Sequence, residues 1–382
     1  MKHSLLLSVC IGIAATFVPF ATAAQPPKAR PNACSDFVEY ATRGKSQDSL
    51  KTDSLLVLKD GKTAYEYYDG FYKAETPHCL FSGTKSFVST LLGIAVRQGK
   101  LSLDQKIVDL FPEALALRPE KDPQSLDAFK RITIYDLLSM QSGITWREID
   151  GVTLRWQTGL KMLFTTGALD TLSFFFKQPM TPDGPSRVWA YSSGSSVALA
   201  AALQKVYGAA DTSFPWRELL DKLNMKNAIF SRDMAGNFLG SDALYVTLRD
   251  MAKLGTLYLN DGVWKGTRLL PEGWTRLVRK RAPALASPST MESEILNLGV
   301  YGGGFWLNQP VPEKNLLKPF PNSPDDVYYA AGHYGQLVII IPSLRMVIAR
   351  TGHDEEFHSK IDGLISRAIA CYGSETAKGD AP

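Results

Sequence analysis

Ser82 and Lys85 form the first group of residues in this chain whose types and spacing could carry out chemistry. They belong to Ser82-Gly83-Thr84-Lys85, the only Ser-x-x-Lys of the chain. Residues i and i+3 share one side of a helix, and a helix N-terminus stabilises negative charge developing on Ser82. A buried, neutral Lys85 amine could then accept the serine proton. The alternative is an ordinary serine N-cap with a solvated lysine.

Tyr191 and Ser193 form a second group, just before a predicted helix in the middle of the chain. A tyrosine in a cleft relays protons as a phenolate or as a hydrogen-bonded phenol. Ser193, two positions further on, could point to the same side and bond Lys85 or a substrate. Alone, this stretch also fits a buried aromatic turn followed by a serine N-cap.

The third group lies in residues 332–336, GHYGQ, which lead directly into an apolar, β-rich run. On an edge strand, Gly335 would let a substrate backbone approach closely. The main-chain N–H of Gln336 could then pair with that of Ser82 as an oxyanion hole. His333 would supply a polar or cationic contact beside the cleft. The alternative is a strand-entry turn with an exposed histidine.

These three groups need a fold that brings distant parts of the chain together, and the residue periodicity predicts an α+β fold. Residues 55–68 indicate a β-hairpin, because Asp60-Gly61 supplies the positive φ of a tight turn. Apolar spacing predicts a helix over 82–98 that stops at the following glycine. Further helices are predicted over 134–140, 197–206, 250–259 and 356–370, and further strands over 304–307, 337–341 and 346–350.

Strands at both ends around a helical middle predict an antiparallel sheet built from both termini and flanked by helices. We assign residues 33–100 and 285–375 to this sheet domain. The stretch 101–284 is expected to form an inserted, mainly helical lobe.

Residues 1–23 are typical of a secretory signal peptide, with Lys2, an apolar stretch and the cleavage pattern Ala21-Thr22-Ala23. The alternative, a membrane anchor, is disfavoured by Pro19, which interrupts the apolar stretch. We expect a periplasmic or secreted protein without stable membrane insertion. The formal net charge of +4, lowered by one on cleavage, is too weak to predict a nucleic-acid partner.

Three cysteines, Cys34, Cys79 and Cys371, would remain after cleavage. An oxidising compartment permits one disulfide and leaves one free thiol. Cys34 and Cys371 are the favoured pair, since both stand in segments of helical pattern near the chain ends. Three buried thiols are the alternative. Cys79 is expected to pack in the core.

Taken in order, the three groups resemble the three motifs of class C β-lactamases and related serine hydrolases. That family includes DD-peptidases, short-chain esterases and 6-aminohexanoate-dimer hydrolases. Segments 132–144, 244–255 and 302–306 are also similar to recurrent stretches of the family, so the resemblance covers about residues 50–370. It implies the β-lactamase/transpeptidase-like fold. The matching residues are Ser82, Lys85, Tyr191, Ser193, His333 and Gly335.

The resemblance also implies roles for these residues. Ser82 would be acylated, Lys85 would take its proton, and Tyr191 would share the base role and protonate the leaving group. The N–H groups of Ser82 and Gln336 would hold the oxyanion. No cofactor is implied, and no metal site is predicted, because no histidine has a ligand spacing with a partner.

Two departures from the family pattern bear on the substrate. Ser193 stands where β-lactamases and peptidases of this fold usually carry asparagine, and His333 stands where they usually carry lysine. Both departures favour small carboxylic esters or linear amides, as in the 6-aminohexanoate-dimer hydrolase branch. The alternatives are a β-lactamase or DD-peptidase, and a catalytically silent protein that holds a ligand in the same cleft.

Overall fold

The computed structural model describes residues 32–43, 49–148, 158–287 and 299–373, so the predicted signal peptide lies outside the described residues. The strands are β1 (Thr52–Lys59), β2 (Lys62–Tyr68), β3 (His78–Cys79), β4 (Ile229–Phe230), β5 (Leu244–Val246), β6 (Val263–Trp264), β7 (Thr267–Arg268), β8 (Val300–Tyr301), β9 (Trp306–Leu307), β10 (Tyr328–Gly332), β11 (Gln336–Ile341) and β12 (Met346–Gly352). The α-helices are α1 (Ala33–Val38), α2 (Thr84–Arg97), α3 (Ile107–Leu110), α4 (Ala114–Leu117), α5 (Pro123–Lys130), α6 (Ile134–Leu138), α7 (Thr158–Phe164), α8 (Thr171–Phe176), α9 (Ser193–Tyr207), α10 (Leu248–Leu259), α11 (Trp274–Val278) and α12 (Ile361–Tyr372).

The main sheet of the described residues has seven antiparallel strands in the order β2-β1-β12-β11-β10-β9-β8. Its first two strands come from the N-terminal part of the chain and the other five from the C-terminal part. This arrangement confirms the predicted α+β fold with a sheet built from both ends. β11 and β12 lie inside the sheet and are buried along their whole length. That burial explains the apolar runs at 337–341 and 346–349 within these strands.

The hairpin of β1 and β2 turns at Asp60-Gly61, as predicted. Asp60 has φ 52° and Gly61 has φ 75°, and Lys59 pairs with Lys62 across the turn. Two consecutive positive φ values match the twist of antiparallel strands, and aspartate and glycine tolerate them best. The turn chemistry therefore sets the register next to the turn, and the pairing shifts between Val57 and Leu58 further along the hairpin.

Helix α10 packs on the sheet against β1, β11 and β12. It comes this close because Gly255 has no side chain: a Cβ there would lie 2.5 Å from Val347 Cγ1 and 3.1 Å from Val338 Cγ1. The helix belongs to the stretch 101–284 that the sequence pattern assigned to the inserted lobe. Packing on the sheet therefore extends into that stretch.

Helix α2 lies at the junction between the helical segment and the sheet. All its residues from Thr84 to Ala95 are buried, and it packs against α9 and against β10. The helix ends at Arg97, two residues before Gly99, whose φ of 69° suits a glycine. Because the Ser-x-x-Lys group opens α2, this position places it where the two parts of the fold meet.

The two ends of the described chain are held together covalently and by a buried cation. Cys34 in α1 and Cys371 in α12 form a disulfide, with Cα atoms 4.7 Å apart. Arg350 in β12 is completely buried. Its guanidinium bonds the Asp354 carboxylate, the Lys51 carbonyl at 2.9 Å and the Gly335 carbonyl at 2.8 Å. A buried charge needs such partners, and here they also anchor the turn between β10 and β11.

None of the helices within the four described ranges is long and apolar enough to cross a membrane.

Candidate active site

Ser82 lies in a one-turn 3-10 helix, Phe81–Gly83, that runs straight into α2. Phe81 has a positive φ of 45°, which is uncommon for a bulky residue. The turn is closed by the Gly83 N–H, which donates to the Leu80 carbonyl at 2.9 Å. Gly83, not Ser82, is the N-cap of α2, and it makes no side-chain cap bond. The Ser82 hydroxyl is therefore not used as a helix cap.

Lys85 is only 3% exposed, so it is not a solvated lysine. Its Nζ lies 3.0 Å from Ser82 Oγ, 3.2 Å from Ser193 Oγ and 3.0 Å from the Ser241 carbonyl oxygen. The expected i, i+3 contact with Ser82 is present, and the expected contact with Ser193 joins two groups more than a hundred residues apart. The amine is held by three oxygens at the start of α2.

Tyr191 completes this arrangement, because its phenol lies against the side chains of Ser82 and Lys85 and interacts with both. Lys85 Nζ also lies 4.8 Å from the centre of its ring, and Tyr301 and Trp306 pack on that ring at centroid distances of 5.5 and 5.1 Å. Burial raises the pKa of Tyr191, while the positive charge of Lys85 opposes the rise. The phenol is therefore protonated at neutral pH and can donate its hydrogen.

Ser193 is the first residue of α9, and Ser192 before it caps that helix by accepting from Ser195 N–H. The cap leaves the Ser193 hydroxyl free for other partners. Besides contacting Lys85, Ser193 Oγ donates to a carboxylate oxygen of Glu148, and the Ser193 N–H donates to Glu148 Oε2 at 2.9 Å. Its polar atoms are thus engaged by the protein itself.

Glu148 is a site residue that the sequence patterns did not predict. Its Oε2 also accepts from Trp146 Nε1 at 2.5 Å. Glu148 stands just beyond the segment 132–144 that resembles the family, in a stretch without clear periodicity. The only local signal is a glutamate that follows a buried tryptophan by two residues, which is too common to predict a site.

Gly332, the last residue of β10, lies directly against the turn that carries Ser82. A Cβ at this position would overlap the Leu80 carbonyl oxygen and lie 3.2 Å from the Gly83 nitrogen. Only a glycine allows two backbones to meet so closely. The amide that follows Gly332 in the chain belongs to His333.

Gly335 occupies a different place from the one expected. It lies in the turn between β10 and β11, and β11 is flanked by β10 and β12, so the expectation of an edge strand is wrong. A Cβ on Gly335 would overlap the Arg350 guanidinium and lie 3.1 Å from Phe357 Cβ. This glycine makes room for the buried arginine, and the close approach to Ser82 is made by Gly332.

His333 and Gln336 flank the same turn. The Gln336 side-chain amide donates to the carbonyl oxygens of Gly352 at 2.7 Å and His333 at 3.2 Å, so the side chain is bound within the sheet. The His333 ring packs on Tyr334 and Phe81 at centroid distances of 3.9 and 5.6 Å. Desolvation lowers the pKa of His333, with Glu355 opposing. The ring is therefore neutral at neutral pH, not cationic.

Cys79 lies close to the site but does not have the character of a nucleophile. Its sulfur donates to the Asp242 carbonyl at 3.3 Å, and burial raises the pKa of its thiol. A protonated thiol is a poor nucleophile. Among the described residues, no group of three or more His, Cys, Asp or Glu is arranged to hold a metal ion.

Comparisons with known proteins agree with this geometry. The family model described as Beta-lactamase matches residues 37–362. The chain is 24% identical over 234 residues to a 6-aminohexanoate-dimer hydrolase of Paenarthrobacter ureafaciens, an alignment that covers 59% of this chain and 57% of that relative.

Among solved structures, a putative 6-aminohexanoate-dimer hydrolase from Bacillus anthracis superposes with a TM-score of 0.64 at 21% identity, over 85% of this chain and 80% of that one. A family VIII carboxylesterase also superposes with a TM-score of 0.64, at 14% identity over 90% and 98% of the two chains. At such identities the structures show a shared fold. Because the family model spans nearly the whole described chain, this protein belongs to the beta-lactamase family.

Proposed function

We propose that this protein is an exported serine hydrolase that cleaves small carboxylic esters or linear amides through an acyl-enzyme on Ser82. The observation that supports it most is the buried contact of Lys85 Nζ with Ser82 Oγ at 3.0 Å, with the Tyr191 phenol against both. Nucleophile, base and proton donor touch one another, as nucleophilic catalysis requires. Export rests on the signal-peptide pattern of residues 1–23.

In the acylation step, Ser82 Oγ attacks the substrate carbonyl carbon and gives its proton to Lys85 Nζ. The carbonyl π electrons move to the oxygen. When the tetrahedral intermediate collapses, the bond to the leaving group breaks, and the Tyr191 hydroxyl protonates the departing oxygen or nitrogen. Lys85 then returns its proton to Tyr191. Water attacks the ester of Ser82 by the same proton path in reverse, releasing the acid.

The oxyanion needs two N–H donors beside Ser82. The Ser82 N–H is one, at the start of α2 where the helix dipole also favours negative charge. The second belongs to the β10–β11 turn. The sequence pattern suggested Gln336 N–H, but Gly332 is the residue that abuts the serine turn. The contact of Gly332 therefore favours the following amide, that of His333.

Gly332→Ala tests this contact. The new methyl group would push β10 away from the Leu80–Gly83 turn, and we expect labelling of Ser82 by a fluorophosphonate to slow about 100-fold, as for a lost oxyanion donor. The unfolding free energy should fall by about 1–3 kcal/mol from overpacking. Gly70→Ala is the matched control, because nothing lies within 4 Å of its added Cβ. Wild-type labelling in Gly332→Ala would show that the contact is not needed.

The hydrogen bonds of Ser193 bear on the substrate class. Its hydroxyl is engaged by Lys85 and Glu148, so it is not free to contact an acyl side chain as the family's asparagine does. The nearby Glu148 carboxylate would also repel the carboxylate of a β-lactam or a peptide. The relative aligned over 234 residues is named for hydrolysis of an amide dimer, and one structural neighbour for ester hydrolysis.

Covalent labelling followed by substrate turnover tests the proposal. A fluorophosphonate should form one adduct, which peptide mass spectrometry should locate on Ser82. A p-nitrophenyl ester or a linear amide dimer should then be hydrolysed, and a cephalosporin should not. Rapid cephalosporin opening, or a stable penicillin adduct, would instead support a β-lactamase or DD-peptidase. No acylation by any of these compounds would support a silent binding protein.

A further inference from the structure

We propose that Glu148 is a positioning residue that acts through Ser193 to direct the Lys85 lone pair at Ser82. The proposal deepens the proposed function and rests on it. It follows from counting which atoms in the site can donate a hydrogen and which can only accept one.

Glu148 acts as an acceptor for every contact it makes in the site. Trp146 Nε1–H and Ser193 N–H, which can only donate, both reach its Oε2, at 2.5 and 2.9 Å. Its Oε1 is the partner of the Ser193 hydroxyl. In this hydrogen bond the Ser193 hydroxyl is the donor and the carboxylate oxygen is the acceptor. The Ser193 hydrogen therefore points to Glu148.

A serine hydroxyl has only one hydrogen. Since Ser193 gives it to Glu148, Ser193 Oγ can only accept from Lys85 Nζ, 3.2 Å away. The Ser241 carbonyl oxygen, 3.0 Å from the same nitrogen, can only accept as well. Two of the three hydrogens of the Lys85 ammonium group are thus bonded to acceptors that have no hydrogen to donate to Lys85.

A neutral amine has two hydrogens and one lone pair. In the neutral form of Lys85, both hydrogens stay on Ser193 Oγ and the Ser241 carbonyl, and the lone pair faces Ser82 Oγ at 3.0 Å. The Tyr191 phenol lies against both Ser82 and Lys85. When it donates its hydrogen to Ser82 Oγ, the Lys85 lone pair stays open to the Ser82 hydroxyl. Ser82 is then the group that can give its proton to the amine.

Packing of helix α7 holds the Glu148 carboxylate in place. A Cβ on Gly159 would lie 3.1 Å from both Cδ and Oε2 of Glu148, so α7 packs tightly on it. The N–H groups of Thr158 and Gly159 both donate to the Arg147 carbonyl, at 2.8 and 3.2 Å. Such backing is what a positioning residue requires.

Glu148→Gln is the informative substitution, because glutamine has the same shape but carries an NH₂ group. If that group donates to Ser193 Oγ, the Ser193 hydrogen turns to Lys85 and competes with Ser82 for the lone pair. We expect the second-order rate of fluorophosphonate labelling at Ser82 to fall about 100-fold. Ser193→Ala alone should cost about tenfold, because it removes an acceptor without adding a competing donor.

The double variant distinguishes positioning through Ser193 from any independent role. Adding Ser193→Ala to Glu148→Gln should restore labelling about tenfold, to the rate of Ser193→Ala alone, because the misdirected hydroxyl is gone. Glu148→Ala frees the same hydroxyl and should show the same rescue, so it serves if the glutamine variant folds poorly. Glu113→Gln, with a 62% exposed side chain, is the control carboxylate.

Two results would overturn the proposal: labelling of Glu148→Gln within threefold of wild type, or losses that multiply in the double variant. Both are read against wild-type labelling at Ser82. If the wild-type protein is not labelled there, it is the proposed hydrolase function that fails.

Discussion

Ser82→Ala is expected to abolish ester hydrolysis and fluorophosphonate labelling. In the proposed mechanism the Ser82 hydroxyl forms the acyl-enzyme, so the loss in kcat should be at least about 10⁴-fold. Residual turnover would come from the oxyanion donors and from binding alone. The measurement is steady-state hydrolysis of a p-nitrophenyl ester with purified protein, checked by intact mass after probe treatment.

Ser86→Ala is the matched control for Ser82→Ala. Ser86 lies one turn along in α2, and its hydroxyl bonds the Gly304 carbonyl at 2.7 Å, away from Lys85. We expect it to lower stability by about 1 kcal/mol and to leave labelling at Ser82 in place. An unchanged rate in Ser82→Ala would mean that another group is the nucleophile.

Lys85→Met is expected to have the second largest effect. Methionine keeps the length of the side chain in a site where the lysine is only 3% exposed, but it cannot accept the Ser82 proton. General-base catalysis contributes about 10²–10⁴-fold, and we expect a loss of that size in kcat/KM for ester hydrolysis. The fluorophosphonate labelling rate should fall in parallel, because that reaction also needs a deprotonated serine.

The variant Lys130→Met is the control for the loss of a lysine. Lys130 forms an exposed ion pair with Asp127 at 2.9 Å, and such pairs contribute little. Its activity should match that of wild type. If Lys85→Met instead retains activity within a few-fold of wild type, Lys85 is not the base.

Several helices, strands and turns can be predicted from interactions between residues that are neighbours in the chain. Asp60-Gly61 turns the first hairpin because these two residues tolerate positive φ. The apolar spacing of α2 and the buried runs of β11 and β12 indicate the helix and the strands within a few residues of their observed ends. The last helix begins later than predicted, at Ile361, because Phe357–Lys360 form a 3-10 turn first.

The candidate site was predicted in part. Ser82, Lys85, Tyr191 and Ser193 were expected to meet, and the structure brings them together. In the third group, the expected edge strand is wrong, while the roles of His333, Gly335 and Gln336 stay predictions. The sequence does not show which glycine makes the close backbone contact, because a glycine in a turn and a glycine at such a contact are the same letter. Only the position of the Leu80–Gly83 turn distinguishes Gly332 from Gly335.

Glu148 shows most clearly what lies beyond the reach of sequence patterns. Its proposed role depends on the contact between Glu148 and Ser193, which lie 45 residues apart in the chain. No conformational preference of neighbouring residues specifies a contact over that separation. Backbone φ preferences and the periodicity of buried residues act over a few residues. The amino-acid sequence therefore predicts the helices and strands and identifies the three groups of chemically active residues. Contacts between those elements arise from packing at long range, and they determine which glycine meets the nucleophile and which carboxylate orients its base.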